Sequence, residues 1–144
     1  MTAKEYLRQA FTAHNRIAAL QEQAKKHRED MTRINQSRTQ ETVQSSRKLD
    51  PMGDLVVRKL TKIEECYAGI ANFGTVLMCI EDAINRIGDA GHDKYQTVLR
   101  LRYIENIVPN EIAKTMWQSR SWVYDKILKG ENLLDELNAK DNFF

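Results

Sequence analysis

Ser119, Arg120, Trp122, Tyr124 and Lys126 crowd the first turns of one helical pattern near the end of a 144-residue chain. A guanidinium, an ammonium, hydroxyls and an indole at that spacing form hydrogen bonds and ion pairs; they neither make nor break covalent bonds. An arginine fork matches the O6 and N7 acceptors of guanine, and ammonium groups sit well against phosphate. The preceding residues, Glu111-Ile112-Ala113-Lys114-Thr115-Met116, form a short helical pattern that ends in a tight break. A short helix, a break and a second polar-faced helix are the layout of a helix-turn-helix, whose second helix enters the major groove of DNA.

Other chemistries find no residues. His14, His27 and His92 are too scattered to ligate one metal. Glu64-Glu65 and Glu81-Asp82 are neighbouring acids on helix faces and read as solvated, with no pocket to make them catalytic. Ser119 and Ser121 have no histidine partner for nucleophilic attack, and no glycine-rich phosphate loop occurs. Cys66 and Cys79 form no Cys-x-x-Cys pair; they read as small buried residues in a reducing compartment. The expectation is a protein that is not an enzyme and needs no cofactor.

The elements that must position the polar helix are all helical. Apolar or small residues recur at Tyr6, Ala10, Ala13, Ile17, Leu20, Ala24, His27, Met31 and Ile34, in steps of four and three. That predicts one long helix from Ala3 to Gln36, capped by Thr2. Residues 37–50 are polar and break the stripe, so a connecting segment is expected there. Asp50-Pro51 then reads as a cap followed by proline at the first helical position. Val56, Leu60, Ile63, Tyr67, Ile70, Phe73, Leu77, Ile80, Ile84 and Ile87 carry a second long helix from Pro51 to about Ile87, which Gly88-Asp89-Ala90-Gly91 ends. Gly69 and Gly74 inside it suggest close approach of a neighbouring helix.

Two long helices of matched length suggest an antiparallel, coiled-coil-like hairpin over residues 1–90. The second helix is apolar over a wide arc. One partner helix cannot cover it, so Leu77, Ile80 and Ile84 are expected at an interface with a second copy. Residues 91–144 are expected to form a separate DNA-binding domain. Its third helix runs from Lys94 to Ile104, and Asn110 is expected to cap the short helix that follows. Ile112, Ala113, Met116, Val123 and Ile127 should form its core, with Leu134 and either Leu128 or Leu137 further along. Trp117 is expected inside that core and Trp122 nearer the surface. Residues 91–130 carry seven Lys/Arg against four Asp/Glu, and residues 131–144 reverse the balance. The module is therefore mildly basic, which permits binding to an anionic partner. The longest uncharged apolar run, Ala68 to Ile80, is too short and interrupted to span a membrane. The N-terminus has no apolar signal core, so a cytoplasmic protein is expected.

Leu99-Arg100-Leu101-Arg102-Tyr103, then Glu111-Ile112-Ala113, then Ser119-Arg120-Ser121-Trp122-Val123-Tyr124 resembles the helix-turn-helix of sigma-factor region 4. The whole chain resembles small phage transcriptional regulators of the RinA and ArpU type, which join a helical N-terminal part to such a motif. The specific likeness covers the C-terminal motif; the long helices agree in layout. The chain departs from the pattern at the turn, where Trp117-Gln118 stands in place of the usual glycine and apolar residue. Trp122 also replaces a small residue. The resemblance implies that Arg120, Ser121, Tyr124 and Asp125 face base edges. Lys114, Ser119, Lys126, Lys129, Arg100 and Arg102 would then lie near phosphates. The function it implies is a sequence-specific transcriptional regulator, an activator of phage or prophage late genes acting in a bacterial host. Double-stranded DNA and a second copy would be its partners, with RNA polymerase a further one. Two alternatives stand beside it: a phage terminase small subunit, and a protein that contacts RNA polymerase without reading DNA.

Overall fold

The computed structural model of the protein describes residues 1–41 and 51–144. Their regular structure is entirely helical: α1 (Ala3–Glu41), α2 (Pro51–Asp89), α3 (Asp93–Leu99), α4 (Pro109–Thr115) and α5 (Arg120–Asp141). α3 runs directly into a π-helical turn, Arg100–Ile104. Among the described residues no helix is long and apolar enough to cross a membrane.

Thr2 and Glu5 start α1 by a reciprocal capping box. The Glu5 amide donates to Thr2 Oγ1 (3.3 Å) and the Thr2 amide donates to Glu5 Oε2 (3.0 Å), so each side chain satisfies a backbone donor that the helix leaves open. The helix continues to Glu41. Residues 37–41 of the expected connection are therefore helical, in keeping with the helix-forming Arg, Gln and Glu among them. The rest of that connection, and the expected cap Asp50, lie outside the described residues. α2 begins at Pro51, where the missing proline N–H costs no helical hydrogen bond.

Two compact units divide the chain. One is Arg16–Phe73, and the other is Met1–Asn15 with Gly74–Phe144. In the first, contacts between the helices descend along α2 as they ascend along α1. Leu20 meets Gly69, Arg28 donates to the Tyr67 hydroxyl at 2.7 Å, and Asp30 pairs with Lys59 at 3.1 Å. Ala24, Ile63 and Cys66 are buried. A Cβ on Gly69 would come within 2.7 Å of Leu20 Cδ1, whereas one on Gly74 would meet nothing within 4 Å. Only Gly69 thus has the close neighbour expected of both. Leu60 and Tyr67, on the predicted stripe, stay exposed, as does Cys79.

The second unit has one main core: Ala3, Leu7 and Ala10 from α1, Ile80, Ala83, Ile84 and Ile87 from α2, then Leu99, Tyr103 and Leu134. The boundary expected at residue 90 falls inside this unit, because the ends of both long helices share their apolar faces with the C-terminal helices. Ile80 and Ile84 are completely buried within the single chain, and Leu77 packs against the same core. Two of the three residues expected at an oligomer interface therefore have no surface left to offer a second copy.

Around the π-helical turn the backbone needs outside help. The Glu105 amide reaches back to the Arg100 carbonyl, and the Ile107 amide to the Leu101 carbonyl. The carbonyl of Tyr103 instead accepts a hydrogen bond from His14 Nε2 at 2.8 Å. A carbonyl can only accept, so that ring nitrogen carries the proton.

Candidate nucleic-acid interface

α4 starts two residues earlier than expected. Val108, in an extended conformation, precedes Pro109 at the first helical position, where its fixed φ is already helical. Asn110 lies inside the helix and is not its cap. α4 ends in a Schellman closure: the Gln118 amide donates to the Ala113 carbonyl (3.0 Å) and the Trp117 amide to the Lys114 carbonyl (3.4 Å). The closure forces Trp117 into the left-handed region, at φ 56°. The residue is 93% exposed. Sequence reasoning expected it in the core; the turn points it into water instead.

Ser119, extended, then caps α5 by accepting the Trp122 amide on Oγ at 3.1 Å. The inner side of this pair of helices is a small core of Val98, Ile112, Ala113 and Val123, against which Met116, Trp122 and Ile127 pack. All five residues expected to hold the module together are there. Leu134 and Leu137 continue the inward side into the main core, while Leu128 is exposed. Gly130 is buried, and a Cβ on it would lie 2.9 Å from Leu99 Cδ1, so glycine lets α5 approach α3 closely.

Opposite that anchor, the helical period places Arg120, Ser121, Tyr124, Asp125, Leu128 and Lys129 on one side of α5. The Arg120 guanidinium lies over the Tyr124 ring, 5.4 Å from its centroid, and Nη2 donates to the Tyr124 hydroxyl at 3.4 Å. Both side chains and Ser121 are exposed. Asp125 is half-buried and takes Lys129 Nζ at 3.1 Å. That hydrogen bond, with the charge of Asp125 behind it, raises the Lys129 pKa above the ordinary lysine value. The four residues expected to face bases are thus together, but Asp125 is engaged by a neighbouring cation.

The residues expected at phosphates divide. Lys114, Ser119 and Lys129 are exposed, Lys114 with a loose partner in Glu111 at 3.3 Å. Lys126 is tucked in: its Nζ lies 5.3 Å from the Tyr95 centroid and 5.5 Å from that of Trp122. Arg100 is bound by Glu81 at 2.6 Å. Arg102 stacks over Phe11 at 4.5 Å and donates to the Ile107 carbonyl at 3.4 Å. Arg100 and Arg102 are therefore engaged by partners within the chain. Their partners Glu81 and Phe11 come from α2 and α1, which spacing within the motif could not reveal.

Sequence reasoning also missed Glu131, which is buried and accepts the Tyr103 hydroxyl at 2.8 Å. Nothing in its local pattern distinguishes it from a solvated helix acid. Among the described residues no three His, Cys, Asp or Glu side chains converge as a metal site. Comparison with protein families, with curated proteins and with solved structures finds no match to this chain.

Proposed function

We propose that the protein is a sequence-specific DNA-binding transcriptional regulator in which α4 and α5 act as a helix-turn-helix and α5 is the recognition helix. One observation carries this reading. The first turns of α5 are fixed on the inside by Val123 and the Ser119 cap, and on the outside they present Arg120, Ser121 and Tyr124 to solvent. A helix that reads base edges needs both a rigid anchor and free polar ends. The charge supports the same side: from Ile112 to Tyr124 the charged residues are Lys114 and Arg120, with no acid among them.

In this reading Arg120 is the base reader, with Ser121 and Tyr124 beside it. Lys114 and Lys129 meet phosphate, and Lys129 would leave Asp125 to do so. The paired long helices form the assembly part. Its contact with a second copy is proposed at Val57, Leu60 and Tyr67, which lie on one side of α2 and are exposed, rather than at Ile80 and Ile84. Activation of phage late genes is the regulatory role that the resemblance implies.

The test begins with selection of binding sites from a randomised duplex library by the purified full chain. Anisotropy titrations on a selected and an unselected duplex, over a salt series, then separate the roles. Arg120→Ala should cost about 1–3 kcal/mol on the selected duplex and little on the other. Lys129→Ala should weaken both and reduce the salt dependence by about one unit of log–log slope. Failure of the wild-type chain to bind any duplex would overturn the reading.

A further inference from the structure

Folding alone gives no reason for a tryptophan at position 117. The Schellman closure of α4 is made by backbone groups of Ala113, Lys114, Trp117 and Gln118. It places residue 117 at φ 56°, where a Cβ is disfavoured and glycine or asparagine is the usual occupant. The indole recovers nothing by packing, since 93% of the residue is exposed. A large apolar side chain that strains the backbone and buries no surface in its own chain points to a surface outside the chain.

The position says which kind. Trp117 stands two residues before the cap of α5, and the next turn carries Arg120 against the exposed Tyr124. The segment around it holds Lys114 and Arg120 and no acid between Glu111 and Asp125. A cationic segment bearing exposed aromatic rings complements an anionic polymer with flat apolar faces. In duplex DNA those faces are the deoxyribose rings and thymine methyl groups that lie between phosphates at the rim of the major groove.

We propose that Trp117 is a DNA-contact residue, whose indole lies against the sugar and thymine-methyl surface at the edge of the groove that α5 enters. The proposal rests on the DNA-binding reading above and adds a residue to it. Trp117 contributes affinity by apolar contact, and its preference is for thymine at the flank of the site rather than for the guanine that Arg120 reads.

The experiment compares the full-length wild type with Trp117→Gly, Trp117→Asn and Trp117→Phe. Thermal melting is measured for each, followed by anisotropy titration on a duplex selected by the wild type. Trp117→Gly and Trp117→Asn suit the left-handed backbone and should melt at or above the wild-type temperature. They should bind the selected duplex about tenfold more weakly, with Trp117→Phe between them and the wild type. Equal affinity of the glycine and asparagine variants with the wild type would overturn the proposal while leaving the DNA-binding reading intact. No binding by the wild type would remove both. Undiminished DNA affinity with lost capture of purified bacterial RNA polymerase would overturn it in favour of a protein contact.

Discussion

Tyr103 donates its hydroxyl proton to Glu131 Oε1 at 2.8 Å, with both residues almost wholly out of water. The bond joins the π-helical turn after α3 to the middle of α5. Tyr103→Phe should destabilise the protein by about 1–3 kcal/mol, because it strips a buried carboxyl group of a donor. Adding Glu131→Met should recover part of that loss, since a pair replaced by apolar groups leaves no unsatisfied atom. Urea unfolding of the four members of the cycle measures the coupling. Strict additivity of the two substitutions would mean that the hydrogen bond contributes nothing to stability.

The same pair makes stability depend on alkaline pH. Burial, then the hydrogen bond to Glu131 and its charge, raise the Tyr103 pKa above the ordinary value of 10.0. The folded state thus holds its phenolic proton where the unfolded chain releases it. The stabilisation is complete below the unfolded pKa and is lost progressively as pH rises above about 10. Unfolding free energies between about pH 8 and pH 11 should fall for the wild type and fall less steeply for Tyr103→Phe. Parallel curves would remove Tyr103 from the alkaline transition.

Two helical glycines should respond in opposite directions to alanine. At Gly130 the new Cβ would lie 2.9 Å from Leu99 Cδ1 and 3.1 Å from its Cγ. Leu99 is itself fully buried, so the overpacking should outweigh the gain in helix propensity and cost about 1 kcal/mol net. At Gly74 nothing lies within 4 Å, and Gly74→Ala should stabilise by up to about 1 kcal/mol. Thermal melting of the two variants is the check. Stabilisation by Gly130→Ala would show that α3 and α5 do not meet as closely as this.

Ile80 separates a core within one chain from a core between chains. It is fully buried among residues of α1, α2, α3 and α5. Ile80→Ala should therefore cost about 2–5 kcal/mol, and the loss should be the same at every protein concentration. Leu60→Asp, on the exposed side of α2, should leave the folded chain intact and reduce the mass seen by light scattering. A concentration-dependent loss for Ile80→Ala would return that residue to an interface.

Much of the fold was legible because it is set by near neighbours. Steps of four and three in the apolar pattern marked both long helices, and Thr2, Pro51 and Ser119 marked three starts. Those signals act over one turn of helix, so a single sequence carries them whole. The core of α4 and α5 was equally readable, since Ile112, Ala113 and Val123 have nowhere to go but between two amphipathic helices. Of the candidate interface, Arg120, Ser121 and Tyr124 were placed by the helical period alone. Arg100 and Arg102 were not, because the groups that hold them, Glu81 and Phe11, come from the ends of other helices.

By itself, then, the sequence determined the helical character, the starts of α1, α2 and α5 and the inward side of α5, through caps and periodicity that operate within a few residues. Only the tertiary structure decided which apolar residues remain in water. Leu60, Tyr67 and Leu128 fit the same periods as their buried neighbours, yet they are exposed because nothing among the described residues buries them. Ile80 and Ile84 vanish into a core that three other helices complete. Trp117 is turned outward by a backbone closure, and the Tyr103 carbonyl is satisfied by a histidine 89 positions earlier. Burial depends on what the rest of the chain brings alongside, and that information is not contained in local pattern.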